Sequence, residues 1–474
     1  MTPDKQSLDI EQVENNNMSL DETGLTDGER ETEKRLVRKI DKRLLPVTAL
    51  IYLLCYLDRS NIGNAKILNS DTGDDLMQTL SLTSYQYTIA LMLFLVAYSV
   101  FEPPSNLALK VFSPRRWLGF LVFAFGAFCT AIGAVHGVAA LSALRFLLGA
   151  AEAGVFPGMI YYFTFWYKPE ERALRIAAFL TSATLAGAFG GCIAYGVGRM
   201  NGAGGLQAWR WLFILEGIPS VIVGTAVFFF LPSYPEQSKW LTPEEKRVQS
   251  KRMGEQNTSK EKLSWADAKV TLMDVRLYAH YIAYTCVGCI IASLSLFAPT
   301  IVLGLGFEGL RAQLFTVPPY ATAFVFCLGT SMLSDRWKAR GLPAVISLSV
   351  CSVAFITMAA LQGEHFTARY ILLIIATSGG FAGLPALCAW IGDNLNSTTA
   401  LSLATAINVA FSGPGQIIGV WIYRPADKPF YRLGHGVNAG AAALSASICL
   451  ALTFYYRRLN AKQQLRVDGS KWIA

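Results

Sequence analysis

The sequence predicts an all-α membrane protein with about twelve transmembrane helices in two pseudo-symmetric six-helix bundles. Hydrophobic residues make up 53% of the 474 residues and charged residues only 16%, whereas a soluble domain carries about 25% charged residues. The apolar residues are gathered in runs long enough to cross a bilayer as helices. Glycine is also abundant, with 40 residues, as is typical where transmembrane helices pack closely.

Twelve apolar runs account for most of the chain, and an even number places both termini on one side of the membrane. The runs cover residues 44–66, 84–110, 116–135, 138–165, 173–198, 209–231, 277–303, 315–333, 342–361, 369–392, 398–422 and 436–456. Basic residues crowd the approach to the first run and follow the second, fourth and eighth runs, which predicts that this side is cytoplasmic. Arg424, Lys428 and Arg432 after the eleventh run depart from this rule.

The runs divide the chain into five predicted segments. These are a cytosolic N-terminal tail (1–43), a first bundle (44–231), a cytosolic linker (232–276), a second bundle (277–456) and a cytosolic C-terminal tail (457–474). Residues 1 to about 33 are acidic and polar without apolar periodicity, so we expect disorder there. Residues 265–278 alternate apolar and charged residues at helical spacing. They predict a helix that either lies along the membrane surface or packs on the cytoplasmic side of the bundle.

Composition argues against metal, redox and nucleic-acid chemistry. All nine cysteines lie in the apolar runs, and the four histidines show no metal-ligand spacing. Cys286 and Cys289 have a redox or zinc spacing but no accompanying pair, so we interpret them as packing residues. Basic residues lie between the runs rather than in one stripe, which indicates a lipid bilayer and not nucleic acid. The sequence contains no recognisable nucleophile motif and no phosphate-binding loop. We therefore expect no metal, no cofactor and no enzymatic activity.

Two adjacent charged residues, Asp58 and Arg59, lie inside the first run. Inserting one ionisable side chain near the bilayer centre costs about 2.5–3.5 kcal/mol, and such residues usually face a protein interior or a water-filled path. The pair therefore predicts a transporter. In the fourth run, Arg145 and Glu152 are seven residues apart and lie on nearly the same helix face, which Gly149 shares.

Several motifs resemble those of a known family. SMLSDRWKAR (331–340) resembles the Asp-Arg loop signature of the major facilitator superfamily, and Arg145-x-x-x-Gly149 resembles its fourth-helix motif. The loop LKVFSPRR (109–116) lies at the matching position of the first half, which suggests an internal repeat. YLDRSNIGNAK, FEPPSNLALK, RFLLGAAEAGVFPG, FWYKPEERALR, WRWLFILEGIP and LPSYPEQSKWLTPEEK are similar to the fungal anion:cation symporter branch. That branch includes permeases for allantoate, nicotinate, pantothenate and biotin, so the resemblance implies the major facilitator fold and organic-anion transport.

The resemblance also implies roles for single residues. In the bacterial sugar-acid symporters and animal vesicular anion transporters, an Asp-Arg pair of span one and a Glu of span four act in proton coupling and anion binding. The implied carry-over is proton coupling by Asp58 and Glu152 and anion binding by Arg59. Tyr56 and Tyr98 match tyrosines that line the sugar-acid site, and Asn408 is aligned with an asparagine there. We expect the following residues to act in gating or helix packing: Arg145, Glu102, Asn106, Asp335, Arg336 and Glu216.

The charged residues also allow a purely structural interpretation, in which Asp58 and Arg59 pair with Arg145 and Glu152 to hold helices together. Two stretches of the second half depart from the branch pattern. Asn394–Ala400 lacks the basic pair that usually follows the asparagine after span ten, and Ser412–Gly415 replaces a common Asn-x-Gly-Gly pattern. Both departures bear on the identity of the substrate more than on the class of transporter.

The sequence thus predicts a proton-coupled symporter that takes up a small organic anion, such as a nicotinate- or allantoate-like carboxylate. The planar guanidinium of Arg59 suits bidentate capture of a carboxylate. The alternative is a proton-driven exporter of a secondary metabolite or drug. Such antiporters commonly carry a Gly-Pro pair in span five, and TLAGAFGGCIAYG (184–196) has no proline. A nutrient sensor with the same fold is a further alternative. We expect a monomer in the plasma membrane.

Overall fold

The computed structural model describes residues 27–253, 265–307, 309–337, 339–361, 365–395, 398–464 and 471–474, and its regular elements are all helical. The seventeen α-helices of these residues are α1 (Asp27–Ala65), α2 (Leu76–Thr79), α3 (Ser84–Val111), α4 (Pro114–Ile132), α5 (Val138–Glu152), α6 (Val155–Thr164), α7 (Pro169–Gly198), α8 (Ala208–Phe230), α9 (Pro243–Met253), α10 (Trp265–Met273), α11 (Val275–Gly304), α12 (Arg311–Leu314), α13 (Val317–Trp337), α14 (Gly341–Ala360), α15 (Phe366–Asp393), α16 (Thr398–Trp421) and α17 (Arg432–Ala461). The predicted all-α fold is confirmed.

Eleven helical stretches in the described part of the chain are long and apolar enough to cross a membrane. They lie in α3, α4, α5 with α6, α7, α8, α11, α12 with α13, α14, α15, α16 and α17. Helix α1, which contains the first predicted run, is not among them. Five polar residues from Asp58 to Asn64 lower its mean hydropathy. It nevertheless packs against α7, α8 and α11, as expected for a helix of the bundle interior.

The fourth predicted run, 138–165, is not one helix as expected from the sequence. Helix α5 ends at Glu152 and α6 begins at Val155. Pro157 lacks the N–H that would bond to the carbonyl of Ala153 in a continuous helix. Gly154 lies against Ser105 of α3, whose hydroxyl an added Cβ would overlap. The break therefore places Glu152 at the end of a half-helix that is buried within the protein, where irregular backbone is tolerated in a membrane.

Glycines allow α4 and α8 to pack with their backbones almost in contact. A Cβ added at Gly119 would lie 2.6 Å from Cα of Phe228, and one at Gly126 would lie 2.6 Å from the backbone N of Val221. The spacing of seven residues keeps these glycines on nearly the same face of α4. Helices α4 and α8 both pack against α1 and help to set its position in the first half.

Helices α1–α8 form the first half of the molecule and α11–α17 the second. The linker between them is fastened to the first half, where Nζ of Lys39 lies 2.7 Å from Oε2 of Glu245 in α9. Arg252 of α9 pairs with Glu171 of α7 at 2.5 Å. We call this end of the molecule the linker end, and the other the opposite end.

The structure corrects two expectations at the linker end. The predicted disorder up to residue 33 is wrong for residues 27–33, which form the first turns of α1, and Glu33 pairs with Lys168 at 2.7 Å. Residues 1–26 lie outside the described part of the chain. The predicted helix over 265–278 is interrupted at Asp274, whose side chain accepts a hydrogen bond from the N–H of Arg276 and caps α11.

Candidate functional site

A cavity lies between the two halves, with walls from α1, α3, α5, α6, α7, α11, α15 and α16. Its empty volume, including the part open to solvent, is about 900 Å³. The first half contributes Tyr52, Tyr56, Arg59, Leu91, Phe94, Leu95, Tyr98, Arg145, Phe156, Leu180 and Ala183. The second half contributes Tyr284, Gly288, Ile291, Ala292, Ser295, Leu296, Phe381, Leu384, Val409, Ser412 and Gln416.

Two guanidinium groups, Arg59 and Arg145, are the charged groups among these lining residues. Aromatic rings hold Arg59, whose Cζ lies 4.6 Å from the ring centroid of Tyr98 and 5.3 Å from that of Phe94. Such cation–π contacts orient a guanidinium without consuming all its N–H groups. Nε of Arg59, and Nε and Nη2 of Arg145, are buried without a hydrogen-bond partner among the described residues. The wall therefore carries positive charge, and neither guanidinium uses all its hydrogen-bond donors.

The nearest carboxylate lies directly behind Arg59. Glu152 is fully buried, and its Oε2 is 3.4 Å from Nη2 of Arg59 and 3.4 Å from Sγ of Cys55, which donates to it. Its Oε1 has no hydrogen-bond partner in the described part of the chain. The ion pair is long for a charge-assisted hydrogen bond, which is typically about 2.7–2.9 Å. Arg59 therefore keeps hydrogen-bonding capacity that this ion pair does not use.

Asp58 does not line the cavity, although it is adjacent to Arg59. Successive residues of a helix point about 100° apart, and Asp58 turns into the first half. Its fully buried carboxyl lies against the thiol of Cys129 in α4, with Glu216 of α8 and Arg145 of α5 nearby. The sequence predicted a gating or packing role for Glu216. The structure places this residue near Asp58.

Three further polar residues, Asn61, Glu102 and Asn106, lie near the charged side chains of the first half. Asn61, one turn beyond Asp58, donates a hydrogen bond to Oε2 of Glu216. Glu102 of α3, one turn beyond Tyr98, lies within electrostatic range of Arg59 and is not among the lining residues. Both its carboxylate oxygens are buried and lack a hydrogen-bond partner among the described residues. Asn106, one turn further along α3, is half-buried.

The predicted tyrosines and asparagine differ in placement. Tyr56 and Tyr98 both line the cavity, and the hydroxyl of Tyr56 lies 2.5 Å from Oγ of Ser295 in the second half. Asn408 is buried on α16 but is not among the lining residues. The face of α16 that reaches the cavity is that of Val409, Ser412 and Gln416, at the helical spacing of three and four residues.

Ser412–Gly415, a departure from the branch pattern, lies at this contact. Ser412 accepts a hydrogen bond from Nε2 of Gln416 at 2.9 Å inside the cavity wall. Gly415 lies against the backbone carbonyl of Thr285 in α11, with no room for a Cβ, and Gly413 lies against the hydroxyl of Ser99 in α3. These close contacts bring α16 against α3 of the first half and α11 of its own half. Sequence reasoning marked this stretch as unusual but missed Gln416 and Ser295, which have no local signal.

The two residues of the loop signature lie at the linker end, away from the cavity. Asp335 pairs with Arg340, whose Nε lies 2.7 Å from Oδ2 of Asp393, while Arg336 is exposed. The other departure, Asn394–Ala400, falls partly outside the described residues, because 396 and 397 are not described. Asn394 itself is buried at the same end.

Comparison with known proteins agrees with this architecture. The model of the Major Facilitator Superfamily matches residues 48–422. The chain is a member of this superfamily. It is therefore a multi-pass membrane transporter and not an enzyme, as predicted.

Among curated proteins, the chain is similar to the MFS transporter prlL of a fungal species (strain NRRL 50135). The identity is 49% over 94% of this chain and 90% of that protein. It is also similar to the MFS-type transporter cnsO of Penicillium expansum, at 34% over 92% of this chain and 86% of that one. The high-affinity nicotinic acid transporter of Saccharomyces cerevisiae is 30% identical over 94% of this chain and 82% of its own length.

Among solved structures, the fold is similar to the xylose transporter XylE from E. coli in a partially occluded inward-open conformation. The TM-score is 0.64 at 13% identity, covering 86% of this chain and 96% of that chain. A bacterial homologue of the lysosomal transporter Spinster, in an inward-facing and occupied conformation, gives 0.63 at 14% identity, covering 91% and 98%. At these identities the likeness concerns the fold alone.

Proposed function

We propose that this superfamily member takes up a small organic anion, such as a nicotinate-like carboxylate, together with protons. The observation that carries the proposal is the charge of the cavity wall: two guanidiniums with unused donors face it, and no carboxylate is among its described lining residues. A carboxylate would bind between Arg59 and Arg145 in a site that is otherwise aromatic and neutral. The similarity to a nicotinic acid transporter supports this class of substrate.

Proton coupling follows from the position of Glu152. The substrate carboxylate and the ionised side chain of Glu152 compete for the guanidinium of Arg59. Two unit negative charges 5 Å apart repel each other by about 3 kcal/mol at an effective dielectric constant of about 20. Protonation of Glu152 removes this repulsion and frees Arg59 for the substrate. The proton and the anion therefore bind together and leave together.

The same reasoning extends, in weaker form, to Asp58 and Arg145. The carboxyl of Asp58 lies within electrostatic range of Arg145, although the two side chains form no ion pair in the described structure. Protonation of Asp58 would raise the positive potential that Arg145 presents to the substrate. In this proposal, Asp58 acts on the anion through Arg145 and does not contact it.

Alternating access requires one side of the cavity to be closed. Several of the contacts that join the halves lie between the level of Tyr56 and the opposite end. Nε2 of Gln313 in the second half donates to the carbonyl of Asn64 at 3.1 Å. Gly187 of α7 packs on the ring of Tyr320, where an added Cβ would lie 2.5 Å from Cδ1.

The test is uptake into liposomes that contain the purified protein, with labelled nicotinate and a panel of other small carboxylates as probes. An inward-directed pH gradient is expected to drive accumulation. Glu152→Gln is expected to abolish this accumulation while keeping exchange of labelled for unlabelled anion, because the neutral glutamine side chain mimics the protonated acid. The control is Glu244→Gln, an exposed acid of α9.

Two outcomes would contradict the proposal. Gradient-driven accumulation that survives in Glu152→Gln would remove Glu152 from proton coupling. Extrusion of the probe driven by an inward proton gradient would establish the exporter instead of the symporter.

A further inference from the structure

The segment 471–474 lies in a groove of the second half at the linker end. The indole of Trp472 stacks on the ring of Tyr456 in α17, with centroids 5.7 Å apart and 17° between the planes. Cζ of Arg276, at the start of α11, lies 4.4 Å from the centroid of Trp472 on the same indole. Tyr456 continues inward to Trp390 of α15, at 5.9 Å between centroids. The indole therefore joins an aromatic cluster that is part of the second half.

Two asparagine side chains bind the backbone of this segment. Asn460 of α17 accepts from the N–H of Trp472 at 2.9 Å and donates to its carbonyl at 2.8 Å. Asn394, which follows α15, does the same for Ile473 at 2.9 Å and 2.9 Å. A carboxamide that bonds both backbone groups of one residue imitates the pairing of a neighbouring strand. Two such pairs on consecutive residues form a built site for an extended peptide.

Further contacts fix the direction of the segment. Nε1 of Trp390 donates to the carbonyl of Ile473 at 2.8 Å, and the backbone N–H of Arg340 donates to the carbonyl of Ala474 at 3.0 Å. Arg340 is the residue that pairs with Asp335 and Asp393. The segment is thereby connected to the loop between α13 and α14, which carries the superfamily signature.

We propose that this groove is a peptide-binding site, filled by Trp472–Ala474 of the same chain, and that its occupancy holds Arg340 in its ion pairs. The groove is formed by residues in or next to α11, α14, α15 and α17. The segment therefore links four helices of one half and moves with that half. The site gives a structural role to Asn394, the asparagine that follows span ten. It is separate from the cavity, and the inference does not depend on the substrate.

The first experiment uses purified protein from which residues 471–474 are deleted. Its thermal unfolding midpoint is expected to fall by several degrees. A synthetic peptide with the sequence of residues 470–474, SKWIA, is expected to bind saturably and restore the midpoint, because a ligand of the folded state stabilises it. A peptide with alanine in place of the tryptophan is expected to do neither.

The groove itself is tested with variants of the shortened protein. Asn394→Ala removes both bonds to the backbone of one peptide residue and is expected to weaken peptide binding roughly tenfold. Lys462→Ala, an exposed change near Asn460, is the matched control and should leave the affinity unchanged. An unfolding midpoint equal to that of the full chain, with no peptide binding, would overturn the proposal.

A second measurement covers the case in which the shortened protein does not fold. Hydrogen exchange of the Arg340 amide is compared in the full chain and in its Trp472→Ala variant. If the segment holds Arg340, exchange at this amide becomes at least tenfold faster in the variant, while amides in the middle of α11 exchange as before. Equal exchange rates at the Arg340 amide in both proteins would refute the proposal that the segment holds Arg340.

Discussion

The two walls of the cavity differ in chemistry although the halves are built alike. The first half contributes both guanidiniums, Arg59 and Arg145, and keeps the buried acids behind them, whereas the described lining residues of the second half are all neutral. The polar side chains of the second wall are Ser295, Ser412 and Gln416, together with the hydroxyl of Tyr284. In the proposed symporter, this difference corresponds to a division of labour in which the first half handles charge and protons and the second half recognises the shape of the substrate.

The first way to break this comparison is Arg59→Lys, for which we expect the largest effect. Lysine keeps the charge but loses the planar fork and the stacking on Tyr98. Loss of charge-assisted hydrogen bonds worth about 1.5–3 kcal/mol predicts a fall in kcat/KM of roughly tenfold to a hundredfold. Initial rates of labelled-anion uptake measure it. The control Arg457→Lys, exposed on α17, should transport normally, and normal uptake by Arg59→Lys would remove the guanidinium from anion binding.

The second prediction concerns the packing that positions the charges. Gly149 lies between Arg145 and Glu152 on α5, and an added Cβ would overlap the backbone carbonyl of Phe94. We expect Gly149→Ala to lower the free energy of unfolding by about 1–3 kcal/mol through overpacking and to lower the thermal unfolding midpoint. Gly440→Ala, in open space on α17, is the matched control. A midpoint unchanged in Gly149→Ala would show that α3 and α5 can separate freely.

The third prediction sharpens the role of the second wall. Gln416→Ala removes a neutral donor and acceptor from α16, so we expect KM for the preferred anion to rise several-fold and the ranking of carboxylates to change. The dependence of uptake on pH should stay that of the wild type, because no proton-carrying group is touched. A displaced pH optimum would contradict the division of labour between the two walls.

The smallest effect is expected where the linker is fastened to the first half. Burial raises the pKa of Glu245, but the ion pair with Lys39 and the hydrogen bond from the N–H of Thr242 together outweigh it, so its pKa lies below the ordinary 4.5. Because the folded pKa is the lower one, this acid stabilises the protein above pH 4.5 and the gain is lost as the pH falls through the folded value.

Lys39→Met is therefore expected to destabilise the protein by about 0.5 kcal/mol at neutral pH, as for other solvent-accessible ion pairs. The difference from the wild type should shrink below pH 4.5. Thermal unfolding across pH, with the exposed Lys42→Met as control, measures it. A constant difference at all pH values would indicate lost side-chain packing on Trp240 instead of lost charge pairing.

How far sequence reasoning reached is clearest in α1 and α16. Asp58 and Arg59 stood out because charge in an apolar run is a local signal. Which of the two faces the cavity has no such signal, because it depends on the rotation of α1. Asn408 was aligned by resemblance, whereas the rotation of α16 brings Ser412 and Gln416 to the cavity instead. The break after Glu152 had its cause in Gly154 and Pro157. It was overlooked because the run is continuously apolar.

The sequence by itself determined the class of protein, the approximate position of each membrane helix and the chemical groups available for transport. These are local properties, set by composition and by the length of apolar runs. The tertiary structure decided which of two adjacent charges faces the cavity, which acids stand behind the guanidiniums and where the segment 471–474 binds. Each of these depends on how a helix is rotated about its axis, and that rotation is set by close contacts with neighbours distant in the chain, such as Gly149 on Phe94.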